Sequence, residues 1–159
     1  SNDGPTLMLS PAATTQAVGK IFTVGVTMNT KADAVSAVEL HLSYDPTAVQ
    51  ILKFTPGTTL PVVLVPETHA NGAIAVTLAA KPPTPFKGAG IIGTWTVKIL
   101  AAKQSSIQFT AQTSIAALGK ATNALASQTG STITGVAGNS VNSTPTPIKK
   151  TNFGNILKK

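Results

Sequence analysis

Cysteine and arginine are both missing from this chain of 159 residues. Without cysteine there is no disulfide framework, no thiolate nucleophile and no cysteine zinc site, although the compartment stays open. Arginine is the preferred side chain for bidentate contacts to phosphate and guanine. Its absence makes nucleic acid a poor ligand for the folded body. Charge is scarce as well: only 11% of residues are charged, and the acids number five. One tryptophan and one tyrosine are too few to build the aromatic strip that sugar stacking needs. No apolar run reaches the roughly 20 residues needed to cross a bilayer, and no leader segment is visible at the N-terminus.

The net charge of +7 is unevenly spread. Lys149, Lys150, Lys158 and Lys159 lie near the C-terminus with no acid among them, leaving eight lysines against five acids in the body. The basic end can add only a weak, salt-sensitive attraction to anionic surfaces. What the chain does contain is alanine, threonine, valine, glycine and proline, with β-branched runs broken by Pro and Gly. That texture predicts an all-β sandwich or barrel rather than a helical bundle. Residues 1–127 read as one β-sandwich domain. Residues 128–143 form a Gly/Ser/Asn-rich segment that adds at most a strand stub at Ile133 and Val136. Residues 144–159 are a Thr-Pro linker and a basic tail, whose composition does not offset the entropy of ordering it.

Strands are expected over residues 5–10, 21–29, 35–44, 60–67, 73–80, 91–101, 105–111 and 113–118, with a further one at 121–127. Pro61 and Pro66 mark the 60–67 run as an edge strand or one with a break. Asn71-Gly72 is the strongest hairpin signal, since both residues accept the positive φ of a two-residue turn. The clearest stretch is residues 35–57, VSAVELHLSYDPTAVQILKFTPG, read as a hairpin-like strand, turn and strand. Val38, Leu40, Leu42 and Tyr44 alternate with Ala37, Glu39, His41 and Ser43, so one row is buried and the other exposed. Asp45 is expected to brace the turn through its own side chain. Trp95 and Tyr44 share the parity of inward residues and are expected in the core.

Catalytic signatures are weak. Glu39 and His41 are two residues apart on one strand face, but Ser43 has only a strand setting and no nucleophile elbow surrounds any serine. A metal site on Glu39 and His41 would need a third ligand such as His69, which no spacing supplies. The acids Asp3, Asp33, Glu39, Asp45 and Glu67 give no paired-carboxylate pattern, and no phosphate loop or dinucleotide fingerprint is present. The chain is therefore not expected to be an enzyme, and no cofactor or metal is expected on it.

The order Leu42-Ser43-Tyr44-Asp45-Pro46, an apolar strand from residue 49 to 54, then Thr55-Pro56-Gly57 resembles the cohesin domain family. The preceding VGKIFTVGVTMN strand, the Asn71-Gly72 turn and the Gly-rich approach to GTWTVKI follow in the family's order, so that the resemblance spans about residues 5–127. It implies a jelly-roll β-sandwich of about nine strands and a non-catalytic role. It further implies binding of a dockerin, a small helical module that carries calcium itself, in a secreted or cell-surface assembly. The family's frequent acid corresponds to Glu39, and the small outward residues after the Asn-Gly turn correspond to Ala75, Thr77 and Ala79. Ala37 stands where many members have Asn, and Lys81 follows where many have an acid. The expected docking surface is thus Ala37, Glu39, His41, Ser43, Ala75, Thr77, Ala79 and Lys81, and the Glu39–His41 pair implies pH-sensitive binding. The alternative is a structural or carbohydrate-binding β-sandwich of a surface protein, with polysaccharide as its ligand.

Overall fold

The computed structural model describes residues 4–138, and the 144–159 linker and tail lie outside them. All regular structure among the described residues is β. In chain order the strands are β1 (Thr6–Ser10), β2 (Ala13–Ala17), β3 (Ile21–Asn29), β4 (Val35–Ser43), β5 (Val49–Pro56), β6 (Val62–Ala70), β7 (Ala73–Ala79), β8 (Ala89–Ile99), β9 (Gln104–Phe109), β10 (Ser114–Ala117), β11 (Ser127–Thr129) and β12 (Ser131–Val136). They form a five-stranded sheet, β11-β1-β3-β8-β5, and a second sheet, β2-β12-β9-β4-β7-β6, with β10 paired to β4 beside β9. The sandwich expected from composition is present, with twelve strands where about nine are expected.

The two inner faces supply one core, made by the period-two rows that the sequence displays. Leu40, Leu42, Val76 and Leu78 from one sheet meet Val24, Val26, Trp95 and Val97 from the other, all almost fully buried. Trp95 lies against Phe54 with ring centroids 4.8 Å apart at 50°. Phe54 also covers Gly93, where an added Cβ would fall 2.1 Å from the ring, so only glycine leaves room for this packing.

Residues 35–57 do not form a hairpin. β4 and β5 belong to different sheets, and the Tyr44–Asp45–Pro46 turn carries the chain across the sandwich. Asp45 Oδ1 accepts hydrogen bonds from the Thr47 amide (2.9 Å) and hydroxyl (2.6 Å), and Lys103 Nζ lies 3.0 Å from Asp45 Oδ2. Lys103 belongs to the β8–β9 connection, which also changes sheet, and the Leu100 amide donates to the Ala48 carbonyl. The two crossings therefore brace one another. Asn71 (φ 56°) and Gly72 (φ 86°) make the expected tight turn between β6 and β7, and the Gly72 carbonyl accepts from the Tyr44 amide at 2.9 Å. Turn and crossing thus touch.

Some expectations shift. β12 is no stub: it lies between β2 and β9, Ile133 is fully buried, and the sandwich continues past residue 127. Backbone pairing, the buried Ile133 and the buried Ser131, whose hydroxyl donates to the Pro11 carbonyl, hold this polar segment, which local hydrophobicity does not reveal. β2 (ATTQA) has no apolar alternation and exists because its backbone pairs in parallel with β12. The strand expected over 121–127 is mostly a loop, because Asn123 takes over the hydrogen bonds. Its Oδ1 accepts from the Ile115 and Leu125 amides and its Nδ2 donates to the Thr113 carbonyl. β6 is an edge strand as its prolines imply, with two register shifts.

Two outcomes follow. A Cβ at Gly72 would sit 2.7 Å from the Tyr44 carbonyl at a positive φ. Gly72→Ala should therefore cost about 1–3 kcal/mol in urea unfolding, and a loss below about 0.5 kcal/mol would contradict the packing described. The Thr47 hydroxyl first, then Lys103 and the Thr47 amide, lower the Asp45 pKa from 3.8 to about 2. A lowered carboxylate pKa contributes stability that is complete above the unfolded value and lost as pH falls through the folded one. The stability difference between wild type and Asp45→Asn should be constant above about pH 5 and shrink between about pH 4 and pH 2; a pH-independent difference would refute the bracing role.

Candidate docking face

The outer face of β4 and β7 gathers most of the residues expected there. Antiparallel register sets Ala37 opposite Ala79, Glu39 opposite Thr77, His41 opposite Ala75 and Ser43 opposite Ala73. On the other flank β10 places Ala116 beside Ala37 and Ser114 beside Glu39. Successive residues of a strand point to opposite sides, so this row faces outward because Val38, Leu40 and Leu42 face the core. The floor is shallow because Ala37, Ala75 and Ala79 have no side chain beyond Cβ.

Glu39 is the one acid in this row, with its side chain 53% exposed, and its Oε2 lies 2.8 Å from His41 Nε2. The contact orients the carboxylate while leaving it open to a ligand. The backbone under His41 is fixed by Thr113, a buried residue whose hydroxyl accepts from the His41 amide (3.0 Å) and donates to the His41 carbonyl (2.7 Å). Thr113 fills the gap where β4 changes partner from β9 to β10. No sequence signal marked it, since its partner is 72 residues away.

Lys81 stands apart from the others. It follows β7 in the 80–86 loop and lines a depression with Thr58, Thr59 and Pro61 at the rim of the sandwich. The strand pleat ends at Ala79, so alternation no longer sets its direction. His69 pairs in register with Ile74, a core residue, whereas Thr68 pairs with Ala75 on the outer row. His69 is thus one residue out of phase with His41, and it contacts Glu67 instead. Among the described residues no three His, Asp or Glu side chains come together to hold a metal. Trp95 is buried and Tyr44 packs against the core. No helix of the described residues is long and apolar enough to cross a membrane.

At the start of β4 the face ends in an apolar trough of about 330 Å³, walled by Leu64, Leu118, Pro82, Pro83 and Pro85. Neither leucine was expected to take part. Val62-Val63-Leu64-Val65 breaks the period of two on an edge strand, which is the one sequence sign of the bulge that turns Leu64 onto this face.

Two packed β-sheets around one core, one of them with an outer face of small residues around Glu39, define a β-sandwich domain. A family model, the cohesin domain, matches residues 8–138, and the chain belongs to the cohesin domain family. Among solved structures it is similar to CaCohA2 from Clostridium acetobutylicum (TM-score 0.67, 21% identity, 87% of this chain and 95% of that one). It is also similar to a non-cellulosomal cohesin from the archaeon Archaeoglobus fulgidus (0.67, 16%, 84% and 92%). A third similar structure is the third ScaB cohesin of R. flavefaciens in complex with a group 1 dockerin (0.63, 11%, 81% and 94%). Comparison with curated proteins returns no match.

Proposed function

We propose that this domain is a non-catalytic binding module that holds a dockerin-type partner on the outer face of β4 and β7 and so anchors that partner in a secreted or cell-surface assembly. The observation that carries the reading is the exposed Glu39 carboxylate, oriented by His41 within a floor of alanine and threonine. A flat floor lets a helical partner approach closely, and a lone carboxylate there accepts hydrogen bonds from its hydroxyl or amide groups, bonds that are stronger for the charge. The R. flavefaciens relative is in complex with a dockerin, and the same class of partner suits this face. Calcium belongs to the partner in this reading, with none required on this chain. Polysaccharide stacking gains no support, because none of the described aromatic side chains is exposed.

Calorimetric titration against a panel of calcium-loaded dockerins tests the reading. At least one should bind, and Glu39→Gln should weaken it by about tenfold or more, as expected for loss of a charged acceptor. Silence from every dockerin, or an unchanged affinity in Glu39→Gln, would count against it.

A further inference from the structure

The β3–β4 and β10–β11 connections meet at the end of the sandwich where β4 begins, and the Leu118 amide donates to the Ala34 carbonyl there at 2.9 Å. Between them lies a depression of about 440 Å³, a size usual for small-ligand sites. Asp33 stands in its wall with its side chain 14% exposed. Its Oδ2 is buried and has no hydrogen-bond partner, and its Oδ1 lies 3.8 Å from Lys120 Nζ, beyond hydrogen-bond range. The other acids of the described residues differ, because Glu39, Asp45 and Glu67 each hold a hydrogen-bonded partner. A desolvated carboxylate oxygen without a donor is costly, so Asp33 is an acceptor that lacks its donor. The rest of the wall is held in place. The Asn123 side chain ties the loop back to Thr113 and Ile115, and the Ala126 amide donates to the Pro5 carbonyl at 2.8 Å. A ligand therefore meets a largely preformed site.

The charges choose the ligand. One acid, Asp33, and one base, Lys120, line the depression, and apart from Leu125 its apolar lining is alanine and glycine. An anion would be set against the Asp33 carboxylate. A bare metal ion would meet the Lys120 ammonium beside the one carboxylate available to it. An apolar group would leave the Asp33 oxygen desolvated, and no aromatic ring lines the depression for stacking. A neutral polyhydroxyl ligand avoids all three costs and leaves the ion pair in place. One O–H donates to Asp33, and a neighbouring hydroxyl accepts from Lys120, which has three N–H donors on a half-exposed side chain. Rotation about the soft χ2 torsion of Asp33 turns Oδ2 toward the depression. We propose that this end of the sandwich binds a saccharide unit by hydrogen bonding alone, with vicinal hydroxyls bridging the Asp33 carboxylate and Lys120 Nζ. No residue of β4 or β7 lines the site, so it does not rest on the docking reading.

The test uses the chain alone, without a dockerin. Isotope-labelled protein is titrated with a panel of neutral methyl glycosides (glucoside, mannoside, galactoside and xyloside), and amide shifts are followed by NMR. At least one glycoside should give saturable shifts at Asp33 and along residues 119–126, without equal shifts at Ala75 and Thr77. Calcium chloride and glycine are titrated in parallel as a bare cation and a zwitterion. The best glycoside is then measured against Asp33→Asn, which keeps the shape and removes the charge, and against Lys120→Met, which keeps the stem and removes the donors. Each should weaken binding by about tenfold or more, as expected for loss of a charged hydrogen-bonding partner. Lys53→Met, on the other sheet, should change nothing. If Asp33→Asn does not fold, the half-exposed Lys120 decides through its own variant. Saturation by no glycoside, or unchanged affinity in the variants, would overturn the proposal. Saturation by calcium or glycine but by no glycoside would assign the depression to that ligand and overturn it equally.

Discussion

The crossing at Tyr44–Asp45–Pro46 is the constraint on which the rest of the structure depends. Here the chain leaves one sheet and enters the other, so β4 and β5 bury their apolar rows against a common core from opposite sides. Had the turn closed a hairpin, both strands would share a sheet and β8 would lose its edge partner. Asp45 holds the turn through Thr47, and Lys103 ties it to the second crossing between β8 and β9. The Asn71-Gly72 hairpin rests on the same point through the Tyr44 amide. Three connections distant in sequence thus converge on a few residues.

The candidate docking face is a consequence of that arrangement. Once Leu40 and Leu42 are committed to the core, the pleat sends Glu39 and His41 outward with no further choice. The partner strands β7 and β10 then decide what surrounds them, and both contribute small side chains there. A carboxylate set among alanines and threonines stays exposed to solvent. The apolar trough differs in origin. It depends on a bulge in an edge strand and on a proline loop folded back onto Val35.

Much of the fold was legible in the chain. Alternation marked β3, β4 and β7, the Asn-Gly dipeptide marked one hairpin, and the prolines marked β6 as an edge. Asp45 was readable as a turn brace because an aspartate before proline bonds locally. What escaped had no local signature. β2 and β12 are polar; β2 becomes a strand only by pairing with β12 across more than a hundred residues, and β12 by lying between β2 and β9. Thr113 looks like any loop threonine until its hydroxyl is found satisfying both backbone groups of His41.

By itself the sequence determined which side chains of each strand share a face, because that alternation is a property of one extended backbone. It therefore specified the row Ala37, Glu39, His41 and Ser43 and the apolar row behind it. The tertiary structure alone decided which strands lie side by side, which sheet each joins, and where the pleat stops. Those choices brought Ala75, Thr77 and Ala79 to Glu39, carried Lys81 away from it, and set Leu64 opposite Leu118. The reason is physical: side-chain direction is set within a few residues, whereas pairing and burial are settled between segments that meet only when the core closes.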